Sequence, residues 1–525
     1  FTTMKLKKLP IGESSFENLI KGDMIYVDKT EPIYKMITTS KYFFLSRPRR
    51  FGKSLLISTL QEIFKGKKEL FKNLWIYNAD YNWESHPVII IDFNQILSDD
   101  DILLQKGITK LLVEIGKVHD LEIKENIYKY AFVELVKKLS DKYSKQVVLL
   151  IDEYDRPIIS HLGKGEEGLR IAEKNRDILK NFYGTIKAAS VIENLRFVLL
   201  TGVSKFSKAG VFSELNNLLD ITMAADYSTL LGITDEELDS YFPEYIKLFA
   251  ESEGFTYDEA RERLRLYYNG YRFSESNSKV YNPFSLVNLF VNKKLRNYWF
   301  ESGTPTFLVN LIKERDYYLP QTESFTVRSS IFSTYELPDL DITALLFQTG
   351  YLTVKDYDSE SDLYTLSYPN LEVKNSFVDI LFKHLAGEKP LEIYTKIYYH
   401  LSKGELEEFI SVMTSIFAGI TYDEGSRINE ANFHTLFYVT LAAGGLPARS
   451  QVLNYSGRID MVVEVKNKVY IFEFKCNQSA EEALSQIKQK KYQEAFIGSG
   501  REIYLVGINF DMDKRNIAQY KWETF

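Results

Sequence analysis

Phe43-Phe44-Leu45-Ser46-Arg47-Pro48-Arg49-Arg50-Phe51-Gly52-Lys53-Ser54-Leu55-Leu56 is the stretch on which the reading of the fold turns. An apolar run, Phe43 to Leu45, breaks at Pro48. Gly52-Lys53-Ser54 then opens an apolar helical pattern through Leu55, Leu56, Leu60 and Phe64. Strand, tight turn and helix in that order are the context a phosphate-binding loop requires. Unpaired backbone N–H groups at a helix start hold an anion, and the helix dipole favours it. Lys53 would reach the terminal phosphates and the Ser54 hydroxyl would ligate Mg²⁺. The usual loop carries a further glycine five positions before Gly52, where this chain has Arg47. Read alone, the stretch is equally a basic surface turn.

The chain has 525 residues, enough for two to four domains, with 45% hydrophobic and 26% charged residues. These are ordinary globular proportions. No run of about 20 apolar residues occurs, so no spanning helix and no membrane partner are expected. The single cysteine, Cys476, excludes a disulfide within the chain. With no secretory signal read, the expectation is a cytoplasmic protein. One cysteine and six histidines argue against structural zinc and for a hard cation held by carboxylates. The net charge of −7 argues against a nucleic-acid coat, yet residues 41–72 carry nine Lys/Arg against two Glu. An anionic ligand fits there.

Continuous apolar runs at 87–93, 147–152 and 195–202 read as strands buried on both faces, the habit of parallel sheets. Helical spacing at 101–118, 125–143 and 168–191 separates them, which predicts a doubly wound α/β domain over 1–225. Met24 to Val27 reads as a further short strand. Such a sheet would set Gly52, Asp152 and Thr201 along one edge. Residues 226–390 read as helices (234–269, a helix opening at 281–284, 300–314, 340–350, 372–386). A small hairpin around 359–361 is compatible with a winged-helix-like module. The last part, 391–525, is α/β, with helices at 390–418, 430–443 and 480–494 and strands at 458–465, 469–475 and 502–509.

Two constellations carry chemistry. Asp152-Glu153 closes a buried strand: Asp152 would hold Mg²⁺ and Glu153 would polarise an attacking water. Thr201 and Ser204, at the end of the next strand, would contact the terminal phosphate or its water. Arg47, Arg49 and Arg50 would add positive charge near the phosphates. In the tail, a two-residue loop at Lys466-Asn467 sets Val465 opposite Lys468 and therefore Asp460 opposite Glu473. Lys475 shares that face. Two carboxylates suit Mg²⁺ between a water and a phosphodiester, and a lysine beside them orients the water. Ile471, Phe472 and Phe474 make the strand apolar, so charges in it are costly without a role. Gln486, Lys490 and Lys491 on the following helix would touch substrate phosphates, or simply form a solvated face. Residues 421–525 hold 13 Lys/Arg and 13 Asp/Glu, so tight non-specific DNA binding by this part alone is not expected.

Several motifs together carry a family resemblance. They are Tyr26-Val-Asp-Lys-Thr30, Arg47-Pro-Arg-Arg-Phe-Gly-Lys-Ser54, Leu150-Ile-Asp-Glu-Tyr-Asp155, Thr201-Gly-Val-Ser-Lys205, Tyr268-Asn-Gly-Tyr-Arg-Phe273, Tyr281-Asn-Pro-Phe284 and Tyr364-Thr-Leu-Ser-Tyr-Pro369. The chain resembles the AAA-ATPase-like proteins of bacteria and archaea. Gly457-Arg-Ile-Asp460, Phe472-Glu-Phe-Lys475 and Gln486 resemble the PD-(D/E)xK nuclease superfamily. The resemblance implies a P-loop NTPase domain, a helical middle and a nuclease-like C-terminal domain, with ATP and Mg²⁺ as cofactors. It implies Lys53 and Ser54 on phosphate and Mg²⁺, Asp152 and Glu153 as the acidic pair, and Asp460, Glu473 and Lys475 as the nuclease triad. In that family the arginine at position 47 is usual.

The expected partners are a nucleotide and a nucleic acid, DNA ahead of RNA, and an oligomer is compatible with the chain. The leading expectation is an ATP-binding and ATP-hydrolysing protein coupled to a Mg²⁺-dependent nuclease. The alternative is a nucleotide-dependent switch or binding module whose nuclease-like domain is not used for catalysis.

Overall fold

Five strands of the first 225 residues pair into one parallel sheet. They are β1 (Tyr42–Ser46), β2 (Val88–Asp92), β3 (Val147–Asp152), β4 (Leu195–Gly202) and β5 (Leu219–Asp220), in the order β2-β3-β4-β1-β5. The computed structural model describes residues 6–205, 215, 217–301, 306–314, 324–332, 337, 340–386, 391–420, 429–454 and 457–525. Parts of the expected helices at 302–305 and 390 lie outside the described residues. Every residue of β1 and β3 is buried, as strands covered on both faces require. The helices Asp101–Val118, Tyr128–Tyr143 and Gly165–Gly184 connect the strands. Parallel register sets the carboxyl ends level: Asp92 pairs with Asp152, and Leu45 with Thr201.

The helix α1 (Lys53–Phe64) starts from Gly52, whose φ of 97° is the left-handed conformation a side chain disfavours. Arg50 shares a positive φ, whereas Arg47 is not among the positive-φ residues. No glycine is needed at position 47. The Arg47 side chain turns into the core instead, 1% exposed. Its guanidinium donates to the carbonyls of Ser46 (2.9 Å), Thr222 (2.7 Å) and Tyr227 (3.1 Å) and lies 4.2 Å from the centre of the Phe273 ring. Burial pushes its pKa down to about 9. The expectation that Arg47 adds charge beside phosphates is corrected: a long side chain with fixed donors reached backbone acceptors behind the loop.

Met24 to Val27 forms no strand. Met24 makes a single bridge to Lys8, and Ile25 and Tyr26 are buried in the core. The middle is helical, and the helix α2 (Pro283–Asn292) is capped by Asn282, whose side chain accepts from the backbone N–H groups of Phe284 and Ser285. Three short strands, β6 (Phe325–Arg328), β7 (Thr353–Asp358) and β8 (Leu363–Ser367), form a sheet in the order β6-β8-β7.

The chain separates into two compact units. One is Phe1–Leu311 with Thr326–Thr365 and Pro369–Glu372; the other is Ile312–Phe325 with Leu366–Tyr368 and Val373–Phe525. The second unit holds a mixed sheet of β9 (Ala448–Asn454), β10 (Gly457–Val465), β11 (Lys468–Cys476), β12 (Glu502–Asp511) and β13 (Asn516–Thr524), in the order β13-β12-β11-β10-β9. Strand β11 is central, antiparallel to β10 and parallel to β12. The helix α3 (Glu430–Ala443) meets β11 through Phe437, which packs on Phe472 and Phe474. The helix α4 (Ala480–Gln489) is joined to Ile471 in a cluster by Leu484 and Ile487. The helix expected over 480–494 ends at Gln489, because Lys491 takes a positive φ and a 3₁₀ turn follows. Among the described residues no helix is long and apolar enough to cross a membrane.

Arg47→Ala should lower the stability of the first unit by about 2–4 kcal/mol, because two remote carbonyls lose their donors and a cavity opens. Arg49→Ala, at an exposed position, should change it by less than about 0.5 kcal/mol. Urea unfolding midpoints of the two variants check this.

Candidate functional sites

The first site lies where β1, β3 and β4 end. Asp152, 4% exposed, accepts hydrogen bonds from the Ser54 hydroxyl (2.6 Å) and the Thr201 hydroxyl (2.6 Å). Glu153 follows with a φ of 52°. Its carboxylate stands 3.6 Å from the Lys53 ammonium. Lys53 is buried and donates to the carbonyls of Arg47 and Pro48, both at 3.1 Å. Asp92, level with Asp152 on the neighbouring strand, has its pKa raised, first by burial and then by the charges of Asp152 and Glu153.

A cavity of about 670 Å³ opens on these groups, lined by Arg49, Arg50, Gly52, Lys53, Ser54 and Glu153 among others. That volume suits a nucleotide-sized ligand. The opposite wall comes from the middle of the chain: Phe284 and Val287 of α2, Trp299 and Tyr351. The Trp299 indole donates to the Arg49 carbonyl at 3.1 Å, and the Arg50 guanidinium lies 4.9 Å from the centre of the Phe284 ring. Motif reading quoted Tyr281-Asn-Pro-Phe284 without placing it on the cavity. Asn282, by capping α2, is what presents Phe284 there. Ser204 is not brought to the cavity. Its hydroxyl is fully buried and donates to Asp155 at 2.6 Å, since Asp155, buried behind the strand end, needs donors more than solvent does. Burial, followed by the charge of Glu153, pushes Asp155 up to about 6.

The fit to Mg²⁺ and nucleotide rests on that chemistry. Ser54 and Asp152 already share a proton where a cation would take one oxygen from each. Among the described residues no group of three or more His, Cys, Asp or Glu could hold a metal. A cation here would therefore need ligand oxygens as well, as phosphates supply.

The second site lies on β10 and β11. The ladder runs from Val465 opposite Lys468 to Met461 opposite Phe472, which is the expected register. Asp460 then leaves the ladders on both sides. Its carboxylate, rather than its backbone, accepts the N–H of Phe474 at 2.9 Å. Glu473 is 2% exposed. One of its oxygens accepts from the Gln486 amide, and Oε2, buried, has no hydrogen-bond partner among the described residues. The Lys475 ammonium donates to the Gln486 carbonyl oxygen at 2.7 Å. Gln486 thus links Glu473 to Lys475. Lys490 and Lys491 stand exposed beyond the end of α4, and Lys491 pairs with Glu494 at 3.4 Å.

Burial, then the charge of Asp460, pushes Glu473 up to about 8, and burial pushes Asp460 up to about 6. A buried carboxylate oxygen without a donor among the described residues, beside a second, half-buried carboxylate, is a place a divalent cation fits. Sequence reasoning missed Glu430 and His434, one turn apart on α3. The Glu430 charge raises Asp460, and burial followed by the Lys475 charge pushes His434 down to about 4. The only signal for them was their spacing of four on a helix that also carries apolar residues all round.

Comparison with known proteins shows the family of both domains. Residues 10–212 match the family described as "Predicted AAA-ATPase", AAA-ATPase-like, and residues 428–520 match the PD-(D/E)XK nuclease superfamily. The chain is also 37% identical over 534 residues to a protein of Azotobacter chroococcum mcd 1, described as an uncharacterized protein in the vnfD 5′ region. The match covers 99% of this chain and 100% of that relative. The protein belongs to this family of AAA-ATPase-like proteins with a C-terminal PD-(D/E)XK nuclease-superfamily domain. A solved structure of Drosophila ORC bound to GC-rich DNA and Cdc6 is similar at 13% identity and a TM-score of 0.25. It covers 82% of this chain, which spans 64% of that one; at that score the likeness carries no argument.

The raised carboxylates fix a pH dependence. The folded second unit holds protons that the unfolded chain releases near pH 4, so its stability falls as pH rises from about 4 to about 8 in the absence of divalent cations. Glu473→Gln should flatten that slope. Adding Mn²⁺ should raise the melting temperature of the native protein more at pH 8 than at pH 6, because cation and proton compete for the same oxygens.

Proposed function

We propose that the protein binds and hydrolyses ATP with Mg²⁺ in its N-terminal domain and cleaves nucleic acid, DNA ahead of RNA, with its C-terminal domain. The observation that carries the reading is common to both sites. Each sets two acids beside one lysine on the sheet: Asp152 and Glu153 at the end of β3 with Lys53, and Asp460 of β10 and Glu473 of β11 with Lys475.

In the first site the unpaired N–H groups at the start of α1 and the loop arginines Arg49 and Arg50 bind the phosphates. Lys53 exchanges the carbonyls of Arg47 and Pro48 for phosphate oxygens, and in doing so releases Glu153. Glu153 then orients the attacking water and takes its proton. In the second site Gln486 holds Glu473 and Lys475 in one arrangement, and Lys475 orients water or steadies charge on the phosphodiester. Lys490 and Lys491 would meet the nucleic-acid backbone outside it. Divalent cations held by Ser54 with Asp152, and by Asp460 with Glu473, would supply charge neutralisation and a more acidic water.

A second reading, a nucleotide-dependent switch, is favoured by the cavity wall. Phe284, Trp299 and Tyr351 belong to the middle of the chain, so an occupied cavity is touched by residues far from the loop in sequence.

Lys53→Ala should weaken ATP binding about 10–100-fold by calorimetry, the cost of one charge-assisted contact. Glu153→Gln should keep binding and lower turnover by about 10²–10⁴. Lys475→Ala should abolish cleavage of nucleic acid. Tight binding with no turnover in the wild type would favour the switch. No cleavage of any tested DNA or RNA, with or without ATP and with Mg²⁺ or Mn²⁺, would sink the nuclease half.

A further inference from the structure

We propose that Arg156 is the cation that stabilises the transferring phosphoryl group, supplied by the same chain three residues after the general base. The proposal rests on the reading of the first site as an ATPase.

Arg156 lines the cavity together with Glu153, Lys53 and Ser54. Its backbone N–H donates to the Glu153 carbonyl at 3.0 Å, so both residues stand on one turn. That turn is pinned on both sides. Asp155, fully buried, accepts from the N–H groups of Val203 (3.1 Å) and Ser204 (2.6 Å) and from the Ser204 hydroxyl (2.6 Å). On the other side the Pro157 carbonyl accepts from the Asn175 amide at 2.8 Å. A fixed base limits where the side chain can swing, and less rotamer freedom is lost on contact.

Three of the other cations nearby are occupied, and the fourth, Arg49, belongs to the loop that opens α1. Arg47 is turned into the core, Arg50 lies on Phe284, and Lys53 is held by two carbonyls and Glu153. Among the described residues the Arg156 guanidinium has no hydrogen bond and no ion pair, and it is exposed to the cavity and solvent. Glu153 marks the end of the cavity where water attacks. A guanidinium on the same turn is therefore placed for the last phosphate rather than the first.

In the step concerned, the water oxygen bonds to the γ-phosphorus and the water proton passes to Glu153. The bond from that phosphorus to the β,γ-bridging oxygen breaks, and its electron pair leaves on ADP. Negative charge grows on the bridging oxygen and spreads over the transferring group, where a forked donor is worth most.

The full-length protein and its Arg156→Ala and Arg156→Lys variants test this. Arg156→Ala should lower ATP turnover by about 100-fold or more while changing the dissociation constant for a non-hydrolysable ATP analogue by less than about threefold. Arg156→Lys should fall between the two, because it keeps the charge and loses the fork. ADP with aluminium fluoride and Mg²⁺ should be trapped by the wild type and not by Arg156→Ala, although both bind ADP. Overlaid melting curves establish that the variant folds.

A wild type that does not hydrolyse ATP removes the reading and the proposal together. A wild type that does, with Arg156→Ala within about threefold of it, overturns the proposal alone. So does a loss confined to affinity. Recovery of activity on mixing Arg156→Ala with Glu153→Gln would show that the arginine acts on a neighbouring copy, and would overturn its assignment to the same chain.

Discussion

A carboxylate buried on a β-strand must be given protons or a cation, and both sites follow from how that cost is met. Asp152 is supplied by two hydroxyls, Ser54 and Thr201, at 2.6 Å each. Because those hydroxyls belong to α1 and β4, one carboxylate ties three elements at the edge of the sheet. Asp155, deeper still, draws two backbone N–H groups and the Ser204 hydroxyl to itself and so takes Ser204 away from the cavity. Glu473 is treated differently. One oxygen is satisfied by Gln486, the other by nothing among the described residues. The first arrangement is at rest without a ligand, whereas the second holds protons that a cation would expel.

The basic loop obeys the same rule with the sign reversed. Arg47, Arg49 and Arg50 are neighbours in sequence and have three different fates. Arg47 is buried against carbonyls and Phe273, Arg50 lies on Phe284, and Arg49 is exposed while its carbonyl is held by Trp299. A guanidinium has five donors in a rigid fork, so it can be buried where backbone acceptors converge. The loop is therefore braced from behind by one arginine and presents the others. The missing first glycine follows from this, because the turn is made by the positive φ of Arg50 and Gly52 instead.

Much of the second site was legible before any coordinates. A two-residue loop and the period of two place Asp460, Glu473 and Lys475 on one face, and the observed register agrees from Val465 to Met461. What that argument missed is local. Asp460 steps out of the ladder, and its side chain takes a backbone donor. Strand β13 also escaped the pattern. It is an edge strand with most residues exposed, so burial imposes no alternation on its sequence. Glu430 and His434 left only their spacing of four as a signal, since their nearness to Asp460 and Lys475 depends on where α3 packs.

The amino-acid sequence by itself determined the strand–loop–helix around Gly52-Lys53-Ser54, the run of buried strands ending in acids, and the hairpin that gathers the second constellation. Each is a short-range pattern of burial, spacing or backbone conformation, and such patterns are written along the chain. Only the tertiary structure decided that Arg47 faces inward, that Ser204 serves Asp155, that one wall of the first cavity comes from Phe284, Trp299 and Tyr351, and that Arg156 lines that cavity with Glu153. Those placements depend on which distant carbonyl, carboxylate or ring arrives at the same point in space. Long side chains, with several donors and many rotamers, settle only when that partner is there.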